Sequence, residues 1–350
     1  MKLIQAKSFA QVEESPLRSF FRHIDLNGND ELDLHELQHF FHNIEPEDPI
    51  QFRANYAALD ILTKKGVPQQ VHLSLLADGT WSTVVVVWII KGGKDEQQPP
   101  SFVRYGNASG RYSFQQVAKN RTYDVGIGGW KGTIYEAWMT SLDQCQTYYY
   151  KVGNSKAWSN EISFKTDCPA VTTHTFAVMG DMGTVIPAGY LVAKQIKEDH
   201  QVTPFSAVVH VGDISYAGTG SKDEIAEIWD IWGTQVEPIS SIVPYMTNVG
   251  NHEAYYNFTV YRNRFRMPGP ESDGLDNFWF SFNIGPIHWV SMSSQHDYAK
   301  DSPQYACGIR TRSTLAQLDS VSNSLPALCQ ISSSIGHYRP HARIRASILR

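Results

Sequence analysis

Three glycine-led turns carry the side chains of this 350-residue chain that are best suited to chemistry. They are Gly180-Asp181-Met182-Gly183, Gly212-Asp213-Ile214-Ser215-Tyr216 and Gly250-Asn251-His252-Glu253. Each turn follows a short apolar run, which is typical of a buried strand. If these strands are parallel and adjacent, their turns meet at the carboxyl ends, where open α/β sheets bind ligands. We therefore expect two carboxylates, an amide, a phenol and an imidazole to cluster there.

The composition of this cluster favours a metal site. Carboxylate and amide oxygens and imidazole nitrogens are donors that iron, zinc and manganese prefer. The glycines allow the backbone to turn tightly beneath the cluster. A single Gly-Asp pair is usually just a turn. Three such turns, each after an apolar strand, favour a shared functional site over three unrelated loops.

The elements that must position these turns fall into three predicted segments. Residues 1–66 have helical spacing on either side of a polar stretch, which predicts a helix, a loop and a second helix. Residues 67–168 contain short β-rich runs separated by Asp-Gly, Gly-Gly and Gly-Asn pairs, which predict a β-sandwich of immunoglobulin-like type. The predicted strands are Val71 to Leu76, Thr83 to Ile90, Tyr135 to Met139, Thr147 to Val152 and Glu161 to Lys165.

The third segment, residues 174–350, alternates apolar strands with helical patterns. Strands are predicted at Thr175 to Met179, Ala207 to Val211 and Pro244 to Val249, with helices around 188–200 and 222–236. This alternation predicts a layered α/β domain.

The motifs GDxG, GDxxY and GNHE, in this order and spacing, resemble the opening motifs of the metallophosphoesterase fold in its purple acid phosphatase branch. The β-rich segment agrees, because residues 68–74 and 148–153 are similar to the start and end of the fibronectin-like domain of plant-type members. The resemblance covers roughly residues 68–300. It implies a fibronectin type III-like sandwich followed by a layered α/β/β/α catalytic domain.

The resemblance assigns a role to each residue of the cluster. It implies that Asp181 binds an Fe(III) ion, that Asp213 bridges both metals, and that Tyr216 is the tyrosinate responsible for the family's colour. Asn251 is implied to bind the second metal, which is Zn, Fe or Mn, and His252 to contact the phosphate and assist the leaving group. The alternative for Tyr216 is an aromatic side chain that only packs.

These roles imply an acid phosphatase that hydrolyses phosphate monoesters through a dinuclear metal centre and a metal-activated hydroxide. Its substrates would be small molecules. A phosphodiesterase or nucleotide pyrophosphatase on the same site is one alternative. The other is a calcium-binding protein without catalytic activity, because metal-ligand histidines are missing from the chain.

Near the C-terminus, the sequence departs from the family pattern. Ser334 to Pro340 resembles the family's VxxH segment and makes His337 a predicted ligand of the second metal, with an exposed tail histidine as the alternative. The family's later GHxH pair has no counterpart. From Gly308 onward every basic residue other than histidine is Arg, and Asp319 is the only acid. We therefore expect the catalytic domain to be truncated or divergent after about residue 307.

The first segment contains a loop that resembles an EF-hand. Oxygen donors occupy positions 1, 3, 5, 9 and 12 of a twelve-residue loop, with apolar Leu32 at position 8. The predicted calcium-binding residues are Asp25, Asn27, Asn29, Glu31, Asp33 and Glu36. Asp30 replaces the usual glycine at position 6, and no second loop pairs with this one. The alternative is a loop that keeps the shape without the ion.

Composition narrows the partners and leaves the compartment open. The 30 basic and 35 acidic side chains give a net charge of −5, which disfavours nucleic acid and anionic membranes. The longest apolar run is far below the roughly 20 residues that span a bilayer, and we see no signal peptide. Three Asn-x-Ser/Thr triplets, at Asn107, Asn120 and Asn257, favour a glycoprotein because they matter only in a secreted chain. The family resemblance implies a secreted, vacuolar or lysosomal protein.

Two further properties are left undecided by the sequence. Cys145, Cys168, Cys307 and Cys329 allow two disulfides in three pairings, or buried thiols. Nothing in the residues decides between a monomer and a homodimer.

Overall fold

The computed structural model describes residues 65–92, 99–171, 173–184, 189–218 and 223–308, together with the backbone of a strand at 327–332. The predicted calcium loop at 25–36 and the predicted metal ligand His337 lie outside these residues.

The N-terminal part of the described chain consists of two four-stranded antiparallel sheets, with strand orders β1-β2-β6-β5 and β4-β3-β7-β8. The strands are β1 (Pro68–Leu75), β2 (Val84–Lys91), β3 (Phe102–Gly106), β4 (Phe114–Val117), β5 (Lys119–Arg121), β6 (Gly132–Met139), β7 (Thr147–Gly153) and β8 (Ile162–Lys165). The strands predicted in this segment correspond to β1, β2, β6, β7 and β8. The structure adds β3, β4 and β5.

Hydrophobic burial holds this part together. All eight residues of β2 are buried, as its apolar run predicts, and Trp88 stacks on Tyr135 of β6 with ring centroids 5.5 Å apart. A disulfide joins Cys145 to Cys168 and ties the turn before β7 to the segment after β8. This bond identifies one pairing among those that the cysteine count left open.

The second part of the described chain is an α/β domain. Its first sheet is parallel, with order β11-β10-β9, and its second has order β12-β13-β14. The strands are β9 (Phe176–Met179), β10 (Ala207–Val211), β11 (Tyr245–Asn248), β12 (Phe280–Ile284), β13 (Ile287–Met292) and β14 (Ala327–Ser332). The α-helices are α1 (Gly189–Val202), α2 (Ala226–Ser240) and α3 (Thr259–Arg264), and 3-10 helices span Asn251–Glu253 and Pro270–Ser272.

The two sheets of this domain contact each other through aromatic side chains. Phe176 of β9 meets Trp289 of β13 edge to face, with ring centroids 4.8 Å apart, and Phe282 of β12 stacks on the same indole. The Asn248 amide at the end of β11 donates to the Ser291 hydroxyl of β13 at 2.7 Å. A sheet-rich domain followed by an α/β domain confirms the fold classes predicted for the second and third segments.

A buried polar network joins the two parts. The carboxylate of Asp230, on α2, contacts Arg264 of α3 at 2.8 Å and Lys91 of β2 at 2.9 Å. It also accepts hydrogen bonds from the Trp130 indole and the Gln70 amide, both from the N-terminal part. Because Asp230 is fully buried, its charge is stable there only while both cations remain in place.

Two surface features bear on the sequence predictions. Asn107, Asn120 and Asn257 are all exposed, so each triplet is accessible to a modifying enzyme. In the ranges described above, the structure contains no helix that is long and apolar enough to cross a membrane.

Candidate metal centre

The turns after β9 and β10 are joined by their backbones. The strands pair in parallel, with Met179 opposite His210. The pairing continues beyond the strands, because the N–H groups of Asp181, Met182 and Gly183 donate to carbonyl oxygens of residues 212, 213 and 214 at 3.3, 3.1 and 2.9 Å. The two Gly-Asp turns are therefore side by side at the carboxyl edge of the sheet, as predicted.

Three predicted metal ligands have left-handed backbone conformations. The φ angles are +54° for Asp181, +50° for Asp213 and +58° for Tyr216. Non-glycine residues seldom adopt such angles, and each costs on the order of 1–3 kcal/mol. Backbone strain of this kind clusters at functional sites, where the fold orients particular side chains.

The oxygen donors of these residues converge. The Tyr216 hydroxyl lies 2.9 Å from Asp181 Oδ1 and 3.4 Å from Asp213 Oδ2. A phenol and two carboxylates from different turns thus share one small volume. The interpretation of Tyr216 as a purely packing residue is disfavoured, because its hydroxyl faces both acids.

The third turn approaches the same group. The backbone N–H of His252 donates to Asp213 Oδ1 at 3.0 Å, and the His252 ring lies over Tyr216 with centroids 4.2 Å apart. Gly250 is required here, since a Cβ at this position would lie 2.1 Å from Asp213 Oδ1. Asn251 is exposed at the start of the 3-10 helix, adjacent to His252.

The environment of the site disfavours the ionised forms of the Asp213 carboxyl and the Tyr216 phenol. Burial raises the pKa of the Asp213 carboxyl. The hydrogen bond from the His252 N–H lowers this pKa, and the charge of the neighbouring Asp181 raises it further. Burial also raises the pKa of the Tyr216 phenol well above its usual value, and the charge of Asp213 contributes. Without a cation, the phenol keeps its proton and the two carboxylates repel each other.

This arrangement fits a metal of the kind that the motifs imply. Two carboxylates and a phenol supply hard oxygen donors, and a cation among them would remove the repulsion between the acids. Within the described ranges, this site included, no group of three or more His, Cys, Asp or Glu side chains is arranged to hold a metal ion. The centre defined here instead combines two carboxylates with a phenol.

Glu253 is part of the site, although the sequence analysis gave it no role. Its side chain is buried and accepts hydrogen bonds from the backbone N–H groups of Asp213, Ile214 and Gly250 at 2.9, 2.7 and 2.7 Å. Burial raises the pKa of the Glu253 carboxyl to about 8, against the effect of these N–H donors. The available signal was its position directly after His252, inside the third motif.

Comparison with known proteins identifies the class to which this fold and site belong. Residues 174–322 match the calcineurin-like phosphoesterase family. The α/β part of the chain is therefore a metallophosphoesterase domain.

The N-terminal part narrows the class further. Residues 68–166 match the purple acid phosphatase N-terminal domain, so the chain carries this domain in front of its metallophosphoesterase domain. Purple acid phosphatase 18 of Arabidopsis thaliana is 32% identical over 248 residues, which cover 69% of this chain and 51% of that protein. Acid phosphatase type 7 of Mus musculus is 33% identical over 232 residues, which cover 65% of this chain and 49% of that protein.

A solved structure agrees at the level of the fold. The purple acid phosphatase PPD1 from yellow lupin seeds superposes with a TM-score of 0.62 over 75% of this chain and 50% of that one, at 24% identity. The chain spans about half the length of the curated relatives described here.

Proposed function

We propose that this protein is an acid phosphatase that hydrolyses small phosphate monoesters. The observation that carries the proposal is the convergence of the Asp181 and Asp213 carboxylates on the Tyr216 hydroxyl, which lies within hydrogen-bonding distance of both. The two matched domains and the acid phosphatase relatives support the same activity. We retain the proposed division into a helical module at 1–66, a fibronectin-like domain at 67–168 and a catalytic domain at 174–350.

The proposed ligands of a dinuclear centre are Asp181, Asp213 and Tyr216 for Fe(III), with Asp213, Asn251 and His337 for a second ion, Zn, Fe or Mn. When bound, two such cations polarise the phosphoryl group and lower the pKa of a water molecule. Asp213 would bridge both ions, which agrees with its place between the other two turns.

The chain itself orients the site and supplies a proton donor. His252 lies beside the carboxylates with its ring against Tyr216, which limits the orientations that the imidazole can adopt. From this position the imidazole would hydrogen-bond a phosphate oxygen and protonate the leaving oxygen as a general acid. The hydrogen bond from the His252 backbone N–H to the Asp213 carboxylate holds the imidazole-bearing residue next to that carboxylate.

We also propose that the loop from Asp25 to Glu36 binds calcium. The support is the spacing of its oxygen donors, with Glu36 as the bidentate ligand. Because Asp30 stands where EF-hands have glycine, we expect weak affinity. Calorimetry with Ca²⁺ on the full chain and on Glu36→Gln tests this site, since the variant removes the bidentate carboxylate.

The test of the enzymatic proposal combines metal content with turnover. The full chain is loaded with iron and zinc, freed of calcium and analysed by elemental mass spectrometry, and hydrolysis of p-nitrophenyl phosphate is measured. We expect two transition-metal ions per chain. We expect Asp213→Ala to abolish turnover, because it removes a ligand from both ions.

Asp143→Ala is the matched control, since Asp143 is an exposed carboxylate on the N-terminal domain. This variant should retain wild-type metal content and turnover. One ion or fewer in the wild-type chain, or undiminished turnover in Asp213→Ala, would contradict the proposal.

A further inference from the structure

We propose that Glu253 is a positioning residue that fixes the Asp213 turn against the Asn251–His252 turn. The inference rests on the metal centre proposed above and concerns a residue to which neither the motifs nor the comparisons give a role. We assign Glu253 neither a metal-binding nor a catalytic role. It acts through the backbone of its neighbours.

The contacts of Glu253 link two turns that are far apart in the chain. Its carboxylate accepts from Gly250 N–H, three residues away, and from the N–H groups of Asp213 and Ile214, which are 40 and 39 residues away. Local capping of the 3-10 helix accounts only for the bond from Gly250. The two long-range bonds therefore serve a different purpose, which is to hold the Asp213 turn.

These three bonds occupy both carboxylate oxygens. Oε1 accepts from Ile214, and Oε2 accepts from Asp213 and Gly250. The side chain is only 2% exposed, so water cannot replace a lost bond. A buried N–H without an acceptor is costly, and the backbone would shift to find one.

Such a shift would move the ligands directly. The Asp213 carboxylate accepts from the His252 N–H and lies 3.4 Å from the Tyr216 hydroxyl, and the Asp213 N–H donates to Glu253. The two turns are in close backbone contact at Gly250, because a Cβ there would lie 2.5 Å from Asp213 N. The geometry of donor atoms therefore depends on the Glu253 carboxylate.

Glu253→Gln is the variant of choice, because it keeps the volume and removes one acceptor. The NH₂ group of the new amide would face backbone N–H groups, and two donors cannot hydrogen-bond each other. At least one of the three hydrogen bonds is therefore lost. Glu237→Gln is the matched control. Glu237 is a partly buried glutamate on α2 that accepts from the backbone N–H of Gln70 at 2.9 Å, away from the metal centre.

Two measurements on the full chain separate positioning from general stability. The first is Zn²⁺ affinity by calorimetry on protein shown to be folded by circular dichroism. We expect Glu253→Gln to weaken it by about 10–100-fold, the range typical of groups that orient metal ligands. Glu237→Gln should leave Zn²⁺ affinity unchanged, although both variants lower the melting temperature.

The second measurement is amide hydrogen exchange of the metal-free chain. We expect faster exchange in Glu253→Gln at the amides of Asp213, Ile214 and Gly250, and in Glu237→Gln only around Gln70. Unchanged exchange at the three amides would overturn the inference, as would equal loss of Zn²⁺ affinity in the two variants. If the wild-type chain binds no Zn²⁺, the metal proposal fails, while the exchange data still decide the role of Glu253.

Discussion

Tyr216 contacts both carboxylates of the candidate metal centre, and this sets it apart from an ordinary buried tyrosine. Its hydroxyl donates toward Asp181 while its ring lies against His252. A single aromatic residue therefore connects the predicted iron ligands to the predicted proton donor. Its left-handed backbone is consistent with a conformation selected for the site.

Substitution of Tyr216 tests its role as a metal ligand. Tyr216→Phe should remove the visible absorption band of the iron-loaded chain completely, because the band requires a tyrosinate on iron and the other side chains are unchanged. Tyr255→Phe is the control, since the Tyr255 hydroxyl donates to the carbonyl of Gly218. Absorption spectra of the three proteins at equal iron content provide the measurement, and a band that survives in Tyr216→Phe would exclude this residue as the ligand.

At the residue scale, the motifs predicted which side chains approach one another and missed what supports them. Asp181, Asp213, Tyr216 and His252 follow from three repeated turn signals after apolar runs. Glu253 could not be assigned a role in this way, because its partners are backbone N–H groups 39 and 40 residues away. A sequence lists side chains, whereas such partners become visible only when the strands are in register.

At the scale of elements, periodicity located several buried strands but missed others, since β12 and β13 are almost fully buried and were not predicted. The strands β2, β10 and β11 are buried at every position or at all but one, whereas in β9 only Phe176 is fully buried. The missed strands β4 and β5 are short, mostly exposed and rich in polar residues. Their pairing comes from tertiary context, namely antiparallel hydrogen bonds to β3 and β6.

The Cys145–Cys168 disulfide restrains the strands β7 and β8 and provides the next prediction. It closes a loop with a sequence separation of 23 residues that contains β7 and β8. Loop-closure entropy for this length predicts that Cys145→Ser lowers the free energy of unfolding by about 3 kcal/mol. Urea denaturation with and without reductant measures it.

The reductant supplies the control for that experiment. Reduction should lower the stability of the wild-type chain to about that of Cys145→Ser, and should change the variant much less. A wild-type chain whose midpoint is insensitive to reduction would show that this bond contributes little to stability.

At the scale of the whole molecule, the two domains are joined by charge as well as by apolar contact. Arg264 lies 4.9 Å from the centre of the Trp130 ring and donates to the Tyr123 hydroxyl at 2.7 Å, while it pairs with Asp230. The first two partners belong to the N-terminal domain and the third to α2. The N-terminal domain is therefore a structural support of α2 and α3, and we expect the catalytic domain to depend on it for folding.

Asp230→Asn tests this dependence at neutral pH. The substitution leaves Arg264 and Lys91 buried without their counter-charge, and loss of one partner of a buried pair typically costs about 3–5 kcal/mol. Asp276→Asn is the matched control, because it breaks an Arg–Asp pair with Arg262 that is partly exposed. The control should cost no more than about 1 kcal/mol, and equal urea midpoints for the two variants would contradict a supporting role for the network.

The pH dependence of the same comparison has a definite sign. Burial alone would raise the pKa of Asp230, but the charges of Arg264 and Lys91 outweigh it and hold the pKa below its ordinary value. A lowered pKa in the folded state stabilises the fold above the unfolded-state pKa of about 4, and this contribution disappears as pH falls through the folded-state pKa. The stability gap between wild type and Asp230→Asn should therefore be constant from pH 7 to about 5 and shrink below about 4. Urea titrations at these pH values measure the gap, and a gap that widens on acidification would mean that Asp230 is not held ionised by its two cations.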